Sequence, residues 1–272
     1  MYTLNCKGRL LVVDKPLVMG IINTTPDSFY EGSRFMGEDG ILKQAERMLQ
    51  AGADILDIGG QSTRPNAPAI TAEEELQRVT GAIESLHFNF PEAIISIDTF
   101  YSQVAKAAVE AGASLVNDIS GGHTEMYTTV AALNVPYVLM HIKGTPANMQ
   151  QQAQYDDVTR EVLDYFIEKT AACRAAGIHD IIIDPGFGFA KTHQHNFTLL
   201  KNLSAFNILD MPILSGVSRK SSIYRTLDIT AAEALNGTTV LNTIALMNGA
   251  HILRVHDVKE AKEAITLVAH LA

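Results

Sequence analysis

Cysteine is nearly absent from this 272-residue chain: only Cys6 and Cys173 occur, far apart and with no Cys-x-x-Cys pair. That excludes a thiolate zinc site and a disulfide framework, and it suits a reducing compartment with both sulfurs as packing atoms. Charge is also scarce, at 19% of residues, while hydrophobic residues reach 47%, so the chain is not a disordered one. Gly (19) and Pro (9) are too few for a collagen-like or low-complexity chain. Positive charge is in deficit, with 21 basic against 30 acidic residues and a net charge of −9, which argues against generic attraction to nucleic acid or anionic lipid. Long apolar runs are missing. Lys7, Arg9, Asp14 and Lys15 interrupt any leader-like core, and the longest uncharged stretch, Ala234 to Leu253, carries Asn236, Asn242, Asn248 and His251. It is too polar for a membrane span, and the expected location is the cytoplasm.

What the chain does contain is alternation. Short continuous apolar runs at Leu17–Ile22, Asp54–Ile58, Ala93–Ile97, Ser114–Val116, Pro136–Met140, Asp180–Ile183, Pro212–Gly216 and Ala250–Val255 read as parallel strands covered on both faces. Amphipathic stretches lie between them: Gly40–Gln50, Ala72–Ser85, Ser102–Ala111, Met126–Leu133, Val158–Ala176, His195–Ala205, Ala231–Met247 and Val258–Leu271. Gly52, Gly112, Gly177 and Gly249 stand where a left-handed helix cap is needed. Eight strand–helix units in one domain spanning residues 1–272 predict a (β/α)8 barrel of the TIM type, with a doubly wound open sheet as the alternative. Tyr2–Val13, with a turn at Cys6-Lys7-Gly8-Arg9, predicts an N-terminal β-hairpin closing the lower mouth.

Polar residues follow each strand: Asn23–Ser28, Gly59–Pro65, Asp98-Thr99, Asn117-Asp118, His141-Ile142-Lys143, Asp184–Phe189, Ser218-Arg219-Lys220, and Arg254, His256 and Asp257. Any one could be a cap or a turn. Together they converge on the C-terminal face, where barrel enzymes keep their sites. Arg219, Lys220, Arg254 and His256 gather cations near the phosphate position of many barrels, with Arg64 able to reach inward, and several cations suit a diphosphate. Asp98, Asn117 and Asp184 form an acidic and amidic half, able to read the donor-rich edge of a flat heterocycle or to hold a metal other than a histidine-bound zinc. His193-x-His195 follows the sixth strand and reads as a loop surface feature. Met140 is the methionine placed at a strand end under the site.

With these residues on the page, the chain resembles the bacterial dihydropteroate synthases over about Asn5 to Val258. The resemblance rests on Asn23–Phe29, Asp57–Pro65, Asp98-Thr99, Asn117–Gly122, Met140-His141, Asp184–Phe189, Ser218–Ser221 and Arg254–Asp257, in family order. It implies a TIM barrel that condenses 7,8-dihydropterin-6-ylmethyl diphosphate with p-aminobenzoate, with Mg2+ as cofactor and a homodimer as the assembly. It implies that Asp98, Asn117, Met140, Asp184 and Lys220 bind the pterin. Asn23, Thr63, Arg64, Arg254 and His256 would hold the diphosphate, with Asn23 also on Mg2+. Thr63, Pro65, Phe189, Ser218 and Lys220 would frame the aminobenzoate, and Asp98, Asp184, Lys220 and Arg254 would carry the catalysis. Asp27 and Arg64 lie on two loops, Asn23–Gly32 and Gly59–Ala69, expected to be mobile until diphosphate binds. Arg254 is expected to be unpaired without ligand, so that its removal costs the fold little. Gln61 stands where the family often has Glu, and Tyr30-Glu31 where Ser-Asp is common. Two other readings share these features: a pterin-binding methyltransferase domain and a catalytically silent pterin-binding paralogue.

Overall fold

Continuous apolar strands must be covered on both faces, and the chain achieves this by wrapping a parallel sheet on itself. The computed structural model describes residues 1–24, 38–61, 70–145 and 148–271. A hairpin of β1 (Tyr2–Cys6) and β2 (Arg9–Val13) comes first. Eight parallel strands follow: β3 (Leu17–Asn23), β4 (Ile55–Gly59), β5 (Ile94–Asp98), β6 (Leu115–Asp118), β7 (Tyr137–Met140), β8 (Ile181–Asp184), β9 (Leu214–Ser215) and β10 (Ile252–Val255). Their spatial order is β8-β7-β6-β5-β4-β3-β10-β9. The ring closes where Ile183 pairs in parallel with Ile213 and donates to the Pro212 carbonyl at 3.0 Å. This is the (β/α)8 barrel that the alternation predicts, and not the open sheet.

The helices are α1 (Glu38–Gln50), α2 (Ala72–Asn89), α3 (Ser102–Ala111), α4 (Thr124–Leu133), α5 (Val158–Ala175), α6 (His193–Lys201), α7 (Ser221–Tyr224), α8 (Leu235–Met247) and α9 (Val258–Ala269). Among the described residues no helix is long and apolar enough to cross a membrane. Gly52, Gly112, Gly177 and Gly249 all take positive φ, between 94° and 128°, as the cap pattern requires.

Three expectations need correction. The seventh strand has two residues instead of the five from Pro212 to Gly216, because Pro212 has no N–H to pair. The sixth helix starts earlier and ends at Lys201, giving way to a 3-10 turn over Leu203–Leu209. The helix expected from Ala231 begins at Leu235, since the carbonyls of Ala231 and Ala232 accept hydrogen bonds from Arg219.

Strand parity sorts the interior into layers. The lower layer takes one side chain or more from every barrel strand: Leu17 and Met19, Ile55, Ile94, Leu115, Val138, Ile182, Leu214 and Ile252. Leu4, Cys6 and Val13 of the hairpin pack beneath it, so the lower mouth is closed with apolar atoms. Two residues further along most strands, the inward position turns polar or small: Asp57, Ser96, Asn117, Asp184, Gly216 and Arg254. Residues of opposite parity, such as Val18, Leu56, Ile95 and Leu253, face the helices. Asp118 has that outward parity. It is fully buried, accepts from the Tyr137 hydroxyl and the Ser120 N–H at 2.7 Å each, and so is a structural residue.

Candidate active site

The upper layer is organised around a carboxylate with no exposure. Asp57 is 0% exposed. One oxygen accepts from Ser96 Oγ at 2.6 Å; the other accepts from Asn117 Nδ2 at 3.0 Å and from Arg254 Nε at 2.6 Å. The Arg254 guanidinium continues to Asp98, donating from Nη2 at 2.5 Å. Nη1 makes no hydrogen bond among the described residues, and the side chain keeps 19% exposure. Burial disfavours the arginine's charge, but Asp57 and Asp98 more than offset it and hold its pKa above the ordinary value. Burial pushes Asp98 upward; Arg254 opposes this, while Asp57 and Glu75 reinforce it. At the end of β4, Gly59 is flanked by Asn23 Oδ1 on one side and Asp98 Oδ2 on the other, at 3.7 and 3.8 Å from the position a Cβ would take.

Across the mouth, Asp184 and Lys220 form a second polar pair. Asp184 anchors one oxygen on the Gly186 N–H at 2.7 Å. Its other oxygen and the Lys220 ammonium both lie beside Gly216, at 3.9 and 3.7 Å from a Cβ placed there. Desolvation raises the Asp184 pKa, with Lys220 opposing, and burial pushes Lys220 down to about 8, with Asp184 opposing. Lys220 also donates to the Phe187 carbonyl, and its ammonium stands 4.8 Å from the Phe189 ring centroid. Met140, 1% exposed, adds an apolar surface at the end of β7, together with Phe189. Ser218 Oγ lies 2.9 Å from His256 Nδ1.

The fold thus brings Asn23, Asp98, Asn117, Met140, Asp184, Phe189, Ser218, Lys220, Arg254 and His256 to the C-terminal mouth. Arg219 does not join them. Its fork is bidentate on Asp257, at 2.9 Å for both bonds, so it clamps the β9 and β10 loops together. Arg254 is not unpaired, because Asp57 and Asp98 both hold it. His193 and His195 lie in the first turn of α6, where His195 and Thr192 form a reciprocal cap. Thr63, Arg64, Pro65, Asp27 and Tyr30-Glu31 lie outside the described residues, as does most of each of the two loops that carry them.

Asp57 is the residue the sequence reading overlooked. The signal was present: an acid at inward parity inside a parallel strand that is otherwise apolar. Glu75 is a second. It is 1% exposed at the start of α2, behind Gly60, and accepts from Thr99 Oγ1 at 2.8 Å. Among the described residues no group of three His, Cys, Asp or Glu is placed to hold a metal ion.

A family model described as a pterin binding enzyme matches residues 19–256, which run from inside β3 to the end of the β10 loop. The chain belongs to this family. Among its relatives, dihydropteroate synthase of Escherichia coli K12 is 44% identical over 96% of this chain and 94% of its own length. The Haemophilus influenzae enzyme of the same name is 39% identical, covering 96% of each chain. Among solved structures, the Yersinia pestis dihydropteroate synthase, in a sulfonamide drug complex, superposes with a TM-score of 0.94 at 40% identity and covers 99% of both chains. The Xanthomonas albilineans enzyme in complex with 7,8-dihydropteroate superposes at 0.90 and 38%, covering 99% of this chain and 98% of its own.

Two outcomes follow from the charges in this pterin-binding barrel. Arg254→Ala leaves two buried carboxylates without their cation, so it should destabilise the protein by about 3–5 kcal/mol, measured by denaturant unfolding. A variant as stable as the parent would contradict the pairing. The second concerns Glu75, whose carboxyl burial pushes up to about 7 from an ordinary 4.5, against the Thr99 bond and Arg78. The folded state keeps a proton there that the unfolded chain has released, so this group's contribution falls as pH rises from 4.5 through 7. Glu75→Gln should therefore melt above the parent at pH 8, and the two should converge near pH 5. A constant difference across that range would exclude the titration.

Proposed function

We propose that the chain is a dihydropteroate synthase: it joins 7,8-dihydropterin-6-ylmethyl diphosphate to p-aminobenzoate, giving dihydropteroate and pyrophosphate. The observation that carries this reading is one mouth with an acid–amide edge and a cation edge above a dry floor. Asp98, Asn117 and Asp184 supply acceptors for the N–H groups of a flat pterin, with Lys220 beside Asp184 and Met140 against the ring face. Asn117 Nδ2 is engaged by Asp57, so its amide oxygen is the group assigned to the ligand.

The diphosphate belongs at the other edge. There Arg254 Nη1, His256 and Asn23 face it, with Thr63 and Arg64 assigned to it on sequence grounds. Lys220 and the ring of Phe189 frame p-aminobenzoate with Ser218, and Thr63 and Pro65 are assigned to the same substrate on sequence grounds. Mg2+ fits this donor set: a hard cation needs no all-protein cage when substrate phosphates supply oxygens, and Asn23 Oδ1 is a hard ligand at the right edge. When bound, the ion would neutralise charge on the diphosphate.

The residues present suit dissociation followed by attack. The bond from the exocyclic methylene to the diphosphate oxygen breaks, with the electron pair leaving on oxygen. Arg254 and His256 stabilise that developing anion, while Asp98 and Asp184 stabilise the pterin cation in a low-dielectric pocket. The lone pair of the neutral arylamine then forms the C–N bond, and its proton is lost to pyrophosphate or solvent. Positioning does the remainder. The reaction is assigned to the cytoplasm, in a homodimer that uses the outer face of α8, where Val240, Ile244 and Met247 are exposed at helical spacing.

Purified protein given both substrates and Mg2+ should form dihydropteroate and pyrophosphate; methyl transfer from a methylated folate, or pterin binding without turnover, would favour the two alternative readings instead. Asp184→Asn should keep its melting temperature within a few degrees yet lower kcat/KM by roughly a hundredfold or more, as loss of a charge made for the transition state does. Unchanged activity would remove Asp184 from the site. Ile244→Asp should shift the sedimentation of the protein to a monomer, and an unaltered dimer would place the interface elsewhere.

A further inference from the structure

Behind Phe189 lies a buried lysine to which the reaction assigns no part. Lys191 is 3% exposed, and among the described residues it makes no ion pair with a carboxylate. Its Nζ stands 2.9 Å from Nδ1 of His141 and donates to the Phe189 carbonyl at 3.0 Å. His141 is 1% exposed and packs edge-on against Tyr165, with ring centroids 4.7 Å apart. Its own N–H extends the β7–β8 pairing to the Asp184 carbonyl at 2.9 Å. Burial pulls the Lys191 pKa well below its ordinary value and holds His141 neutral, so Nζ and Nδ1 share one hydrogen bond whose donor is set by the histidine tautomer. Methionine would fill the same space without burying a polar group, so what the lysine adds is these two bonds.

One bond holds the His141 ring and the other the Phe189 carbonyl, two segments that also meet at Gly186. Gly186 presses on the His141 carbonyl, with φ +70° and only 2.1 Å from that oxygen to where a Cβ would be. Ala190 adopts φ +49°, a left-handed conformation that costs a residue with a side chain. The Ala190 carbonyl accepts from the Tyr155 hydroxyl at 3.0 Å. Phe189 lies between these two constrained points, its own carbonyl on Lys191 and its ring under the Lys220 ammonium.

We propose that Lys191 and Tyr155 are positioning residues for the arylamine substrate: they clamp the consecutive carbonyls of Phe189 and Ala190 and thereby fix the ring against which p-aminobenzoate packs. The inference rests on the reading that Phe189 lines the aminobenzoate pocket of a dihydropteroate synthase. Removing a clamp therefore weakens arylamine binding selectively, because the clamps act on the loop after β8, whereas Asp98, Asn117, Met140 and Asp184 project from the strands themselves.

The test is steady-state kinetics of the full chain with each substrate varied in turn, for Lys191→Met and for Tyr155→Phe. The KM for p-aminobenzoate should rise roughly tenfold in the first and roughly threefold in the second, with the KM for the pterin diphosphate within about twofold of the parent. Equal rises in both KM values, or an unchanged p-aminobenzoate KM, would overturn the proposal. Tyr155→Phe decides alone if Lys191→Met shows no cooperative melt. A parent protein that makes no dihydropteroate overturns the functional reading and this inference with it; an active parent whose variants keep the parent KM overturns the inference alone.

Discussion

Arg254 held between Asp57 and Asp98 is the interaction on which the upper half of the barrel depends. Removing three charged groups from water is costly, and their attraction offsets the cost only when the buried lone pairs and donors are satisfied by neighbouring groups. That requirement explains the neighbours. Ser96 and Asn117 donate to Asp57 from the two adjacent strands on one side, and Arg254 reaches it from beyond β3 on the other. Four strands are tied through one carboxylate. The Asp57–Arg254 pair is therefore both a structural link and the base on which Asn117, Asp98 and the free edge of the guanidinium are oriented.

The hairpin makes that network consequential. With Leu4, Cys6 and Val13 under the lower ring of side chains, the barrel is apolar from below up to the polar layer. Charges above such a floor interact through a low dielectric, where a pair is worth more and an orphan costs more than at the surface. The displaced pKa values of Asp184 and Lys220 across the mouth follow from the same environment. A pocket of this kind stabilises a developing cation and a departing anion through groups already in place, without solvent reorganisation.

The mouth also has a softer side. Phe189 and Lys220 stand on loops after β8 and β9, the shortest strand, where ladder hydrogen bonds are fewest. Side-chain bonds take over there: Arg219 to Asp257, Lys191 to the Phe189 carbonyl, Tyr155 to the Ala190 carbonyl and Asn196 to the Gly188 N–H. Loops are less precise carriers of binding groups than strands, so supporting contacts of this kind are what hold Phe189 and Lys220 in place.

The barrel was legible in the sequence because its signals are local. Continuous apolar runs, amphipathic stretches between them and glycines at the helix ends all act over a few residues, and strand parity assigns Asp98, Asn117, Asp184 and Arg254 to the mouth. Long-range pairing was not legible. Arg219 and Arg254 are each a cation just after or within a late strand, yet one fork closes on Asp257 and the other on Asp57 and Asp98, partners that only the strand order of the folded sheet brings near. For the same reason Asp57 reads as one more strand residue and Lys191 as one more loop lysine. Burial of a charge is a property of everything packed around it, and its pairing is decided by residues 38 to 197 positions away, so tertiary structure alone determined which ionic groups hold the fold and which are left to meet a substrate.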